Sequence, residues 1–66
     1  MKIIVNGELK SFENEITIKT LMEVLGYEKG VGAVAVNMTF VASDKYEETI
    51  LHDGDEVEIL APVCGG

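Results

Sequence analysis

The chain opens with a pattern of apolar and polar positions that predicts a β-hairpin. Residues 2–6 are rich in β-branched side chains, which favour strands. Asn6-Gly7 follows at once, and both residues tolerate the positive φ of a type I′ turn. We therefore expect two antiparallel strands, at residues 2–6 and 8–12.

A helical period replaces this pattern after Thr17, whose hydroxyl can cap a helix. The apolar positions recur at the i, i+3, i+4, i+7 spacing of one helix face, namely at Ile18, Leu21, Met22 and Leu25. Gly26 suits the position just after a helix end. The pattern predicts a helix over Ile18–Leu25 whose apolar stripe belongs to the core, with Leu21 at its centre.

The second half of the chain predicts three more short strands. Residues 26–32 form a connection to residues 33–37, a strand that is apolar on both faces. A turn at residues 37–39 leads to a brief strand at residues 40–42, and residues 43–46 are predicted to form a single capped turn. Asp53-Gly54-Asp55 marks the last turn, before the alternating strand 56–61. The order β-β-α-β-β-β predicts an α+β fold, a mixed sheet of about five short strands with one helix on one face.

Length and composition limit the chain to one small globular domain. Its 66 residues are 47% hydrophobic and 26% charged, which is the balance of a folded protein. We expect the domain to cover residues 1–61 and residues 62–66, which belong to no predicted element, to be a flexible C-terminal tail.

Charge and cysteine usage narrow the classes of partner and the compartment. Twelve acidic against five basic side chains give a net charge of −7, which disfavours nucleic acid and anionic lipid and favours a basic protein partner. No apolar run approaches the ~20 residues that span a bilayer, and no signal peptide is recognisable. The single cysteine, Cys64, can build neither a disulfide within the chain nor a zinc site. We expect a cytoplasmic protein.

The sharpest chemical feature is the closing pair Gly65-Gly66. At ~7% average glycine usage, two closing glycines arise by chance in about one chain in two hundred. Without Cβ atoms they can thread a narrow slot in a partner enzyme, and the ionised terminal carboxylate is a usable nucleophile toward an α-phosphate. A frayed terminus without function is the alternative interpretation.

Residues spread over the whole chain carry a family resemblance: Ile3-Ile4-Val5-Asn6-Gly7, Thr17, Leu21, Ala33-Val34-Ala35-Val36-Asn37, Val41, Leu51, Asp53-Gly54-Asp55, Val57-Glu58-Ile59 and Gly65-Gly66. In order and spacing they resemble the ThiS family, the ubiquitin-like β-grasp sulfur carriers of bacterial thiamine biosynthesis. The resemblance implies that a ThiF-like adenylyltransferase uses ATP to form an acyl-adenylate on Gly66. It further implies that a persulfide sulfur donor converts Gly66 to a thiocarboxylate, whose sulfur goes to a ThiG-like thiazole synthase. The chain would then be a protein co-substrate and not an enzyme, with no resident cofactor.

Several polar residues invite chemical interpretations that we weigh as weaker. Cys64 stands directly before the glycine pair, where its thiol could attack or protect the activated carbonyl, but we expect it to have no chemical role. His52 lacks partners for a metal site, and Asp53 and Asp55 lack the spacing of a calcium loop. We predict a solvated turn here and no metal. Asn37-Met38 departs from the Asn-Gly that the family more often has, which we expect to be harmless.

A docking surface can also be predicted. Ile4 and Leu60 have the outward parity of their strands, and the resemblance implies that these two strands are neighbours. We expect them to form a small apolar patch, rimmed by Lys2, Glu56 and Glu58, that docks the adenylyltransferase or the thiazole synthase. Scattered apolar surface residues are the alternative. The predicted partner-binding residues are Ile4, Leu60, Val63, Cys64 and Gly65.

Three other functions stay open from the sequence. The small subunit of molybdopterin synthase resembles this chain in fold and ending, although that family usually has a longer insertion than residues 26–32 provide. A ubiquitin-like modifier would join Gly66 to lysines of other proteins. A binding module with an inert tail is the third possibility.

Overall fold

The computed structural model describes residues 1–27 and 32–60. Its elements, in chain order, are strands β1 (Lys2–Val5) and β2 (Glu8–Ser11), helix α1 (Ile18–Leu25), strands β3 (Ala33–Val36) and β4 (Thr39–Val41), a 3-10 turn (Ser43–Lys45) and strand β5 (Glu56–Leu60). The strands form one sheet in the order β2-β1-β5-β3-β4. β1 and β5 run parallel and the other neighbours run antiparallel, so the sheet is mixed, as predicted.

Local chemistry sets both ends of the helix. The Thr17 hydroxyl accepts a hydrogen bond from the Thr20 N–H at 3.2 Å. Gly26 takes the left-handed conformation with φ 86°, and its N–H donates to the Glu23 carbonyl at 3.1 Å. The predicted bounds Ile18–Leu25 are confirmed, because cap and stop signals act over a few residues and need no tertiary partner.

The helix packs on one face of the sheet and forms the core there. Leu21 is fully buried, as its central position in the stripe predicts, and Leu25 is half-buried against the same cluster. The buried cluster contains Ile3, Val5, Ile18, Leu21, Met22, Val34, Leu51, Val57 and Ile59. The opposite face of the sheet has no helix on it among the described residues, and we call it the outer face.

The differences from the predicted elements lie at strand ends. Asn6 and Asn37 were expected both to end a strand and to begin a turn. They begin the expected turns with φ 50°, and each strand ends one residue earlier than predicted. β4 starts at Thr39, one residue before its predicted start. The single turn predicted at residues 43–46 is confirmed as a 3-10 turn at Ser43–Lys45, but Ala42 at its N-cap makes no side-chain cap bond, so the predicted cap was wrong. Ala61, predicted as the last residue of β5, and the predicted tail at residues 62–66 lie outside the described residues, as do residues 28–31 of the predicted connection.

Candidate functional site

The C-terminal residues continue from the central strand of the sheet. β5 pairs with β1 on one side and with β3 on the other, and its Val57 and Ile59 are buried in the core. Leu60, its last residue, pairs with Ala33 of β3. Residues that follow Leu60 therefore start from a strand with neighbours on both sides. The candidate residues Val63, Cys64, Gly65 and Gly66 lie outside the described residues.

Ile4 and Leu60 both lie on the outer face, as predicted, with 36% and 57% of their surfaces exposed. Their strands are also neighbours. The register, however, pairs Ile4 with Glu56, and Leu60 lies four residues farther along β5, about 13 Å away at ~3.3 Å per residue. The expectation that the two side chains form one small patch was therefore wrong. A parallel pair of strands has no connecting hairpin that would fix its register from the sequence.

Two further apolar side chains share the outer face, and sequence reasoning missed them. Leu9 of β2 is directly opposite Ile4 and is 64% exposed. Phe40 of β4 is opposite Ala35 and is 68% exposed. The signal that could have identified them is the hairpin register, since a two-residue turn at Asn6-Gly7 places Leu9 opposite Ile4 and one at Asn37-Met38 places Phe40 opposite Ala35. The apolar surface of this face is therefore spread over four strands.

Acidic side chains divide this surface. Glu58 pairs with Ala35, and Glu56 pairs with Ile4, and both glutamates are exposed on the same face as Lys2. The outer face thus combines exposed apolar side chains, among them the neighbours Ile4 and Leu9, with a strip of negative charge along β5. Such a face suits a partner that offers apolar pockets next to basic side chains.

The polar candidates away from this face form a turn and not a reactive cluster. Asp55 Oδ2 accepts from the His52 N–H at 2.8 Å, as expected within a turn, whereas Asp53 Oδ1 accepts from the Lys2 N–H at 2.6 Å and links the turn to the start of β1. The His52 side chain is exposed, with Nε2 3.7 Å from a Glu15 carboxylate oxygen. Within residues 1–27 and 32–60, no three His, Cys, Asp or Glu side chains are grouped to hold a metal ion.

One side chain on the helix, Lys19, has a shifted pKa. Lys19 donates a hydrogen bond to Glu47 at 3.1 Å, and this bond together with the charge of Glu47 raises the pKa of Lys19. Both groups are exposed and lie away from the outer face. No helix in the described ranges has the length and apolar character needed to cross a membrane.

Comparisons with known proteins agree on one family and one fold. The model of the ThiS family matches residues 3–66. The chain is 26% identical to the sulfur carrier protein ThiS of Escherichia coli over the whole of both sequences. It superposes on the crystal structure of a thiamine biosynthesis protein, ThiS, from Geobacter metallireducens with a TM-score of 0.83 and 25% identity, covering both chains fully. The predicted ubiquitin-like β-grasp fold is thereby confirmed.

A further relative is much longer than this chain. All 66 residues align at 35% identity with a thiazole synthase of Paramagnetospirillum magneticum. The chain spans only 20% of the length of that relative.

Proposed function

Because this chain belongs to the ThiS family, we propose that it is a sulfur carrier in thiamine biosynthesis whose cargo is bound at Gly66. The family-model match carries the proposal, since it extends from residue 3 through Gly66 and includes the glycine pair. The alignment with a sulfur carrier over the full length of both chains supports the same role. The lone cysteine is consistent with work in a reducing compartment, which we propose to be the cytoplasm.

The proposed chemistry begins at the terminal carboxylate. A carboxylate oxygen of Gly66 attacks the α-phosphorus of ATP on an adenylyltransferase, pyrophosphate leaves, and an acyl-adenylate forms. The terminal sulfur of a persulfide then attacks the acyl carbon and displaces AMP, which gives an acyl disulfide. A second thiol reduces that S–S bond and releases the thiocarboxylate, whose sulfur goes to thiazole synthase.

In this scheme the domain binds the partner enzymes, and residues 62–66 extend from it so that Gly66 reaches their active sites. We propose that the outer face docks the adenylyltransferase and later the thiazole synthase, because the same acyl carbon must visit both enzymes. Ile4, Leu9, Phe40 and Leu60 supply apolar contacts, and the glutamates of β5 supply charge that attracts a basic partner. Val63, Cys64 and Gly65 would enter the slot of the enzyme ahead of its active site and contact its walls.

The relative named thiazole synthase supports that second partner. A segment similar to the entire present chain occurs within one protein of that name. Two activities encoded in one chain are held close together, which raises their effective concentration. We therefore propose that this chain, too, meets a thiazole synthase.

Mass spectrometry of the protein from its native cell tests the proposed function. We expect a fraction of the chain to carry sulfur in place of one oxygen at Gly66, and we expect purified chain, ATP and adenylyltransferase to release pyrophosphate. Lysine adducts at Gly66 would instead identify a modifier. A stable complex with a larger subunit that binds a molybdopterin precursor would identify the small subunit of molybdopterin synthase, and a chain without modification or pyrophosphate release would contradict the proposal.

The docking surface can be tested with a matched pair of charge substitutions. Leu60→Glu places a carboxylate on the outer face, whereas Val24→Glu places one on the helix at a residue of similar exposure, 62% against 57%. We expect Leu60→Glu to weaken adenylyltransferase binding by about tenfold or more in calorimetry, because it introduces charge into an apolar contact. We expect Val24→Glu to leave binding unchanged. Equal effects of the two substitutions would remove the outer face from the proposal.

A further inference from the structure

Asn6 completes the last step of strand pairing before the C-terminal residues begin. Its side chain accepts a hydrogen bond from the Ile59 N–H at Oδ1, 2.8 Å away. Its Nδ2 donates to the Ile59 carbonyl at 3.4 Å. The two bonds join residues that are 53 positions apart in the chain.

The parallel ladder explains why a side chain is needed there. Ile4 N–H donates to the Asp55 carbonyl and Asn6 N–H donates to the Val57 carbonyl, each at 2.9 Å. The next step of the ladder would need a further β1 peptide opposite Ile59. The chain instead turns away at Asn6-Gly7, with φ 50° and 82°. The side-chain amide of Asn6 therefore takes the place of the missing peptide.

Asn37 makes comparable hydrogen bonds at the opposite end of β5, where the strand begins. It begins the other two-residue turn with the same φ of 50°. Its N–H donates to the Glu56 carbonyl at 2.7 Å, and its Oδ1 accepts from the Glu56 N–H at 3.0 Å. The two asparagines thus match in backbone conformation and in an Oδ1 that accepts from an N–H of β5, although Asn37 Nδ2 donates to Asp55 Oδ1 at 3.0 Å and not to a β5 carbonyl. They differ in that only Asn6 holds the end from which residues 61–66 continue.

We propose that Asn6 is a positioning residue for the activation of Gly66, an inference that rests on the proposed function. With Asn6 in place, Ile59 has partners on the β1 side while Leu60 pairs with β3 on the other side. Both neighbours together hold Ile59 and Leu60, the last described residues before the C-terminal segment, in place on the sheet. Gly66 is presented to the adenylyltransferase from this end of β5, so loosening of Ile59 and Leu60 would shift the point from which Gly66 is presented. Misplacement by even ~1 Å can cost a hundredfold in rate.

The test compares Asn6→Gly with Asn37→Gly. Glycine readily adopts the positive φ of either turn, so each variant loses the amide bonds and keeps the turn. We expect similar losses of thermal stability from the two substitutions. We expect only Asn6→Gly to lower kcat for pyrophosphate release, by about tenfold, with KM for the carrier and calorimetric binding to the adenylyltransferase near those of the unsubstituted chain.

Two further measurements assign the effect to the bonds at Ile59. Hydrogen exchange of the Ile59 amide should accelerate in Asn6→Gly and not in Asn37→Gly. Asn6→Asp keeps an acceptor for the Ile59 N–H, so its kcat should lie between those of Asn6→Gly and the unsubstituted chain. If Asn6→Gly does not fold, the kcat of Asn6→Asp relative to the unsubstituted chain still tests whether the bonds to Ile59 matter.

Equal kcat values for the two glycine variants, or an Asn6→Asp variant no faster than Asn6→Gly, would overturn the inference. Pyrophosphate release from the unsubstituted chain is the control that separates this result from failure of the proposed function. If that control releases none, the proposed function fails; if it does and the variants do not differ, only the positioning by Asn6 fails.

Discussion

Met38 has a backbone conformation that suits glycine better than methionine. The two hairpin turns are closely alike, with Asn6-Gly7 at φ 50° and 82° and Asn37-Met38 at φ 50° and 70°. An L side chain in this left-handed region costs about 1–2 kcal/mol, and the Met38 side chain is 92% exposed, so packing does little to offset that cost. We expect Met38→Gly to raise the free energy of unfolding by about 1 kcal/mol in urea titrations.

The matched control reverses the exchange at the other turn. A Cβ at Gly7 would meet no atom within 4 Å, so Gly7→Met tests backbone strain without a clash. We expect it to lower the free energy of unfolding by about 1 kcal/mol. Should Met38→Gly be neutral or destabilising, Met38 must make a stabilising contact that its exposure does not reveal. The departure from Asn-Gly leaves the turn itself intact, as the sequence led us to expect.

Whether the Cys64 thiol has a chemical role can be tested by replacing its sulfur with oxygen. Cys64→Ser keeps the size of the side chain and removes its thiol chemistry. We expect sulfur transfer to thiazole synthase to continue at near its normal rate, because the proposed steps use a thiol from outside the chain. We also expect any disulfide-linked dimers to disappear on non-reducing gels. Loss of transfer by a variant that folds normally would give the thiol a role in the mechanism.

Residue-level chemistry could be read from the sequence only where its partner is near in the chain. Thr17 and Gly26 act on helix residues within a few positions, so both were predicted correctly. The Asn6 side chain bonds to Ile59, and no local pattern indicates a partner so distant. The turn at Asn6 was predicted correctly. The bonds of its side chain to β5 form only when the sheet is complete, so they could not be predicted from the sequence.

At the scale of elements, the packing of the helix on the sheet can be tested at Leu21, which the sequence places at the centre of the apolar stripe. Leu21 is fully buried between α1 and the sheet, so Leu21→Ala leaves a cavity and should cost ~2–5 kcal/mol. That is a large part of the stability a domain of this size can have. Val24→Ala on the same helix is the control, because Val24 is 62% exposed and its loss should cost well under 1 kcal/mol. Chemical denaturation measures both, and similar losses would mean that Leu21 does not occupy the core.

The sequence was sufficient to predict which segments form strands and which forms the helix. It predicted only some of the pairings between strands. Period-2 and period-3.6 patterns identified the strands and the helix, because burial on one face acts directly on residue spacing. Hairpin partners β1 with β2 and β3 with β4 followed from their short turns. The parallel register of Ile4 against Glu56 joins strands that are far apart in the chain, so no short turn specifies it. The separation of Ile4 from Leu60 followed from that register and was missed.

For the whole molecule, the proposed division into a domain and a C-terminal segment predicts that folding and chemistry can be separated. The buried cluster found among the described residues already joins α1, the sheet and Leu51. Deleting Gly65-Gly66 should therefore leave the melting temperature nearly unchanged and abolish adenylation. Calorimetry and a pyrophosphate assay on the same sample measure the two effects. A large loss of cooperative unfolding would show that the segment packs on the domain.

The proposed function also requires that Gly66 be both glycine and terminal, which an added alanine tests. One alanine after Gly66 moves the carboxylate by ~3.5 Å and places a Cβ beside it. We expect the extended protein to fold and to bind the adenylyltransferase normally, because binding would use the outer face of the sheet. We expect it to release no pyrophosphate with ATP, because the reacting oxygen no longer aligns with the α-phosphorus. Calorimetry measures binding separately, and mass spectrometry verifies that the alanine is still present after the reaction. Near-normal pyrophosphate release from the intact extended chain would contradict the claim that the carboxylate must be presented from Gly66.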